Sequence, residues 1–189
     1  MNEKLTAMEK EILLNTARRA IENAVSGKKD LEINYERIPE SLKKPGATFI
    51  TLTKNGMLRG CIGTLNPTGS IIADVCDHAA AAAMDDYRFP PLEADEVDNI
   101  KIEISLLSTP RKLNYSNIDE LLNLIQPGLD GIILKDGSAR ATFLPQVWSK
   151  IPDKEQFLSH LCQKMGAPAE MWRNKKIEVM TYQVEKFSE

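Results

Sequence analysis

Apolar residues recur at helical spacing from Leu13 through Ala17, Ala20, Ile21 and Ala24, with Thr6 and Glu9 spaced as a capping box and Gly27 as a stop. This pattern predicts an amphipathic helix. Residues 28 to 46 carry charge and two prolines, Pro39 and Pro45, and read as a connecting segment with at most a short strand or turn. The period then changes: Ala47 to Thr53 is β-branched and aromatic, and Asn55-Gly56 follows, the pair that a type I′ turn favours. A hairpin is predicted, with Leu58 to Gly63 on its return strand. After the break at Asn66-Pro67-Thr68-Gly69, Ser70 is placed to cap a helix running through Ile71, Ile72, Val75, Ala79 and Ala82 to Met84. Its alanine run, Ala79 to Ala83, suits close packing. Asp85 to Leu92 alternates charged and aromatic residues before Pro90-Pro91, which forbid further helix, so it reads as an ordered loop.

Ile100 to Leu107 alternates strictly, which predicts Ile100, Ile102, Ile104 and Leu106 on a core face and Lys101, Glu103 and Ser105 on the other. Ser116 and Asp119 are expected to cap a helix carrying Leu121, Leu122 and Ile125, ended by Gln126-Pro127-Gly128. A second hairpin is predicted around Asp136-Gly137, its outgoing strand ended by Pro145, with Gln146 to Trp148 as one helical turn. Asp153 can cap a helix with Phe157, Leu158, Leu161, Cys162 and Met165 on its core face; His160 borders that stripe. From Lys176 to Phe187 the alternation predicts one terminal strand covered on both faces. Strands joined by hairpins and interrupted by single helices imply an α+β fold, mainly antiparallel sheet with flanking helices.

A chain of 189 residues suffices for one domain, or for two subdomains sharing one compact unit. With 24 basic and 27 acidic residues the formal charge is -3, which offers no basic surface of the kind nucleic acid requires. The local basic groups Lys43-Lys44, Arg111-Lys112 and Arg173 with Lys175-Lys176 read as solvated surface. Three cysteines, Cys61, Cys76 and Cys162, lack the paired spacing of a zinc ribbon, a redox CxxC or a disulfide framework. No apolar run reaches the length of a membrane span, and Met1 to Leu5 opens no leader pattern. A cytoplasmic location is expected, with no metal, no cofactor and no membrane. No glycine-rich phosphate loop is present.

Chemistry concentrates in Leu58-Arg59-Gly60-Cys61-Ile62-Gly63. On a regular strand Arg59 and Cys61 share a face, a way to hold a thiolate or an anion. Gly60 and Gly63 let a backbone, a ring or a ligand come close. Asp86 and Arg88 are candidates to face the motif, one orienting and the other binding an anion, or to form an internal pair that fixes their loop. Two readings of different class follow. In one, Cys61 is a nucleophile on a small or acyl-type substrate, supported by Arg59, with His78 or Glu103 as base and glycine N–H groups as oxyanion donors. In the other, the hairpin is an anion- or nucleotide-binding module or a docking surface, and Cys61 is a small filler.

Leu58 to Gly63, Arg88-Phe89-Pro90-Pro91-Leu92, Ile102 to Ser105 and Ala141 to Trp148 resemble, in that order, the AMMECR domain family. Tyr87 stands where many members carry proline. The resemblance spans nearly all of residues 1–189 as a single AMMECR-type domain. It implies two subdomains, with the chain ends together in the larger one and the signature near a cleft between them. Prokaryotic members look like protein A of the AmmeMemoRadiSam system, which implies a Memo-like protein and a radical SAM protein as partners. A homodimer and a small anionic ligand are the other associations expected.

Overall fold

The computed structural model describes residues 4–28 and 31–189; Met1 to Glu3, part of the leader-free reading, and Lys29-Asp30 of the connecting segment lie outside the described residues. The fold is α+β, with antiparallel sheets flanked by helices. The chain forms two compact units: Met1–Leu107 with Glu185–Glu189, and Ser108–Val184.

In the first unit, helix α1 (Ala7–Val25) starts at the Thr6–Glu9 capping box, and Leu13, Ala17, Ala20 and Ile21 form its buried stripe. The following segment contains two 3-10 turns, Tyr35–Arg37 and Glu40–Lys43. Strands β1 (Pro45–Lys54) and β2 (Met57–Gly63) make the expected hairpin. Asn55 and Gly56 both have positive φ, 53° and 76°, as a type I′ turn requires. A short β3 (Gly69–Ser70) pairs with the start of β1, and Ser70 then caps α2 (Ile71–Met84), its hydroxyl accepting from the Ala73 N–H. Strand β4 (Ile100–Leu107) pairs antiparallel with β1 along its whole length.

One face of this sheet packs on α1 and α2, giving a core of Leu13, Ile21, Ile50, Leu52, Ile72, Val75, Ile102 and Ile104. Burial along β4 departs from strict alternation at its end, where Ser105 is buried and Leu106 only partly so. Register with β1 is unbroken there, so the cause is not a slip: Ser105 and Leu107 share the second face, and both are buried.

The second unit holds strands β5 (Arg111–Lys112), β6 (Gly131–Asp136), β7 (Ala139–Phe143) and β8 (Glu178–Tyr182), in the order β5-β8-β6-β7. Helix α3 (Ile118–Leu124) is capped by Asn117, whose side chain accepts from the Glu120 N–H. Ser116 instead donates its own N–H to the Glu120 carboxylate at 2.7 Å, so the expected Ser116/Asp119 cap is shifted by one residue. Helices α4 (Lys154–Lys164) and α5 (Met171–Asn174) follow. The core stacks Trp148 on Phe157 at 3.7 Å between ring centroids, and the Trp148 indole donates to the Asp130 carbonyl at 2.7 Å. Trp172 is buried in the same cluster, as is Cys162, whose thiol burial pushes to higher pKa.

The single terminal strand expected from the sequence is two strands. β8 belongs to the second sheet and β9 (Val184–Ser188) to the first, giving that sheet the order β2-β1-β4-β9. The break falls at Gln183, whose N–H donates to the Ser108 hydroxyl at 2.9 Å and whose carbonyl accepts from the Ser108 N–H at 2.8 Å. Alternation of side chains continues through such a change of partner, so periodicity alone reads it as one strand.

Candidate functional site

Strand β2 is the outermost strand of the first sheet, so its outward backbone groups need partners from outside the ladder. At Cys61 two side chains supply them. The Cys61 N–H donates to Asp86 Oδ2 at 2.8 Å, and Arg88 Nη2 donates to the Cys61 carbonyl at 3.2 Å. Arg88 also forks onto both Asp86 oxygens, at 2.8 and 2.6 Å. Asp86 is 4% exposed. The guanidinium hydrogen bonds from Arg88, aided by the N–H groups of Cys61 and Arg88, hold its carboxyl far below the usual carboxylate range. Arg88 is shifted upward by the same pair.

The loop reaches β2 because α2 stops at Asp85, the Phe89 N–H closes a turn onto the Asp86 carbonyl, and Pro90-Pro91 prevent the helix from resuming. The internal-pair reading of Asp86 and Arg88 and their approach to the motif are therefore one arrangement.

Arg59 and Cys61 do not share a face. The register of β2 against β1 shifts between Leu52 and Thr53: Gly60 opposes Leu52, Leu58 opposes Thr53, and Arg59 is the extra residue of a bulge. The bulge turns its guanidinium onto Glu96, with Nε–Oε1 at 3.1 Å and Nη2–Oε2 at 2.7 Å, and onto the Pro90 and Pro91 carbonyls at 2.9 and 3.3 Å. Lys54 adds a third cationic contact, 2.9 Å from Glu96 Oε1. Hydrogen bonds from Arg59 and then Lys54 pull the Glu96 carboxyl well below its ordinary value, and Glu96 raises Arg59.

The two glycines of the motif meet protein. A Cβ on Gly60 would lie 2.1 Å from the Ala82 carbonyl oxygen, so Gly60 and the alanine run together let α2 lie directly on the strand. A Cβ on Gly63 would lie 2.4 Å from both the Phe49 ring and the Thr48 carbonyl oxygen.

Cys61 projects from the sheet face opposite α2, beside its register partner Thr51, whose hydroxyl lies 3.4 Å from Sγ. Glu103 opposes Thr51 on the other side, so Cys61, Thr51 and Glu103 form one row across three strands. Two strand spacings put Glu103 about 10 Å from Cys61, and its carboxylate is taken by Lys186 at 3.0 Å.

His78 sits on α2, against the other face. Its Nδ1 lies 3.1 Å from Asp74 Oδ2, and the buried Asp74 carboxylate also accepts the Thr48 N–H at 2.8 Å and the Thr48 hydroxyl at 2.6 Å. The structure thus brings Asp86 and Arg88 to Cys61 and separates Arg59, Glu103 and His78 from its thiol. Sequence reasoning missed Glu96, Thr51 and Asp74. Two of these carried a signal: Glu93 and Glu96 have capping-box spacing, and Asp74 lies one helical turn before His78.

Among the described residues the site therefore offers a half-buried thiol, one cation bonded to the Cys61 carbonyl and no base within hydrogen-bond reach of the sulfur. Around it, large apolar side chains stand in solvent: Tyr87 is 94% exposed, Met57 71% and Leu58 44%. Leu58 pairs with Thr53 and so lies on the same side as Cys61. Among the described residues no group of three or more His, Cys, Asp and Glu gathers as a metal site, and no helix is long and apolar enough to cross a membrane.

Residues 14–187 match the family model AMMECR1. A protein of Methanothermobacter thermautotrophicus is 36% identical over 186 residues, covering 98% of this chain and 96% of its own. One of Nanoarchaeum equitans is 39% identical over 183 residues, covering 94% and 98%. The crystal structure of an uncharacterised protein from Pyrococcus horikoshii superposes with a TM-score of 0.82 at 32% identity, covering 98% of this chain and 93% of that one. On this agreement of sequence and fold, the chain belongs to the AMMECR1 family.

Proposed function

We propose that this protein is a recognition module, acting in the cytoplasm with Memo-like and radical SAM proteins, and that it meets them through the outward side of β2 and the loop 85–92. One observation carries the reading: the charged residues of the signature region are satisfied inside the protein, while the large apolar side chains Met57, Leu58 and Tyr87 beside it are left in solvent. Arg88 is spent on Asp86 and Cys61 through Nε and Nη2, which leaves Nη1 for a carbonyl or carboxylate on the partner. The signature then serves to hold this surface rigid rather than to perform chemistry.

A pull-down or calorimetric titration with the two partner proteins tests it. Tyr87→Ala combined with Leu58→Ser is expected to weaken association at least about tenfold with the fold intact, and Cys61→Ser to leave it unchanged.

A second reading, Cys61 as nucleophile, is favoured by the cation that Arg88 places beside it. It predicts the opposite pattern, with turnover lost in Cys61→Ser and retained in the surface variant.

A further inference from the structure

We propose that the first unit carries a second, separate binding site, for a small organic anion with an apolar body, in the hollow between α1 and the segment Leu31–Ile38. The hollow encloses about 260 Å³ and is lined by Thr16 and Arg19 of α1 and by Leu31, Glu32, Ile33, Asn34, Arg37 and Ile38. Its floor is apolar, since Leu31, Ile33 and Ile38 are the outer edge of the core packed on α1 and the sheet. Its rim is cationic. Arg19 and Arg37 are exposed, and neither makes an ion pair with any described residue, whereas Arg18, Arg59, Arg88 and Arg173 each have a carboxylate partner.

Two guanidinium groups facing one apolar hollow is the arrangement that selects a carboxylate or phosphate head on a hydrocarbon or aromatic body. Asn34 adds to it: its Oδ1 accepts the Glu36 N–H at 3.1 Å, which leaves the amide hydrogens to donate. The Thr16 hydroxyl is spent on the Ile12 carbonyl at 2.8 Å and contributes only its methyl group. Among the described lining residues Glu32 is the one carboxylate against two arginines, so their balance is positive. The volume suits a body of one ring or a short chain. None of these lining residues belongs to the signature strand or to the loop 85–92, so each site can be tested without mutating the other.

Amide chemical-shift titration of the full-length ¹⁵N-labelled chain with benzoate tests the site, with benzyl alcohol as the neutral control. Saturable shifts in Leu31–Ile38 are expected for benzoate and not for benzyl alcohol. Arg19→Ala and Arg37→Ala are each expected to weaken binding about tenfold, and Glu32→Gln to strengthen it. Both arginines are exposed, and Arg19→Gln and Arg37→Gln repeat the test with more of the side chain kept. The proposal is overturned if benzoate gives no saturable shift there, if benzyl alcohol binds equally well, or if variants with native spectra bind benzoate undiminished.

Discussion

At Gly60 the requirement is for empty space, and it is severe. The Ala82 carbonyl belongs to the helix backbone and cannot rotate aside, so a methyl group at Gly60 forces α2 off the strand. Gly60→Ala is expected to cost about 1–3 kcal/mol or more, read as a lower urea midpoint with an unchanged slope. Gly69→Ala is the matched control: its added Cβ meets only the Ala73 Cβ at 3.9 Å, an ordinary contact, and its effect is expected to stay within about 0.5 kcal/mol. The contrast separates a glycine that the packing demands from one that it tolerates. Packing also explains both glycines of the signature without any ligand, because Gly63 is closed in the same way by Phe49 and the Thr48 carbonyl.

At the scale of elements, the loop 85–96 is fastened to the free edge of β2 by two ion pairs, Asp86–Arg88 and Arg59–Glu96. A carboxyl held below its unfolded-state pKa stays ionised in the folded protein while the unfolded chain takes up protons. The stability it contributes is therefore complete above about pH 5 and is lost progressively as the pH falls below about 4. Asp86→Asn is expected to be less stable at pH 7 by about 1–3 kcal/mol, and to show a shallower loss of stability on acidification than the parent in denaturant midpoints measured from pH 7 to pH 3.

These fastenings set the limit of what the sequence discloses. Helices α1, α2 and α4 and both hairpins were legible because cap, period and turn residues are local signals. The bulge at Arg59 was not, because an extra residue in one strand appears only when its partner is known, and it reverses the inferred Arg59–Cys61 pairing. The partnership of Arg59 with Glu96 spans 37 residues and leaves no periodic trace. The split at Gln183 was hidden for the related reason that a strand changing sheets keeps its alternation.

Across the whole molecule, the first unit is completed by the last residues of the chain. Phe187 of β9 packs on its core, Glu185 accepts the Leu5 N–H at 3.2 Å and pairs with Lys10 at 2.7 Å, and Glu189 pairs with Arg18. Removing Glu185–Glu189 strips that support and bares the edge of β4, so a fall in melting temperature of at least about 5 °C is expected. The placement of the aromatic residues decides how that fall can be watched. Both tryptophans of the chain, Trp148 and Trp172, lie in the second unit, whereas the two longest helices, α1 and α2, lie in the first. The protein is thus naturally labelled with two spectroscopic reporters: indole emission follows one unit, and ellipticity at 222 nm is weighted toward the other. Melting the truncated chain under both signals turns a shift in one curve into a measure of cooperation. Superimposed transitions would mean that the two units unfold as one, and an early loss of ellipticity under unchanged emission would mean that each keeps its own stability.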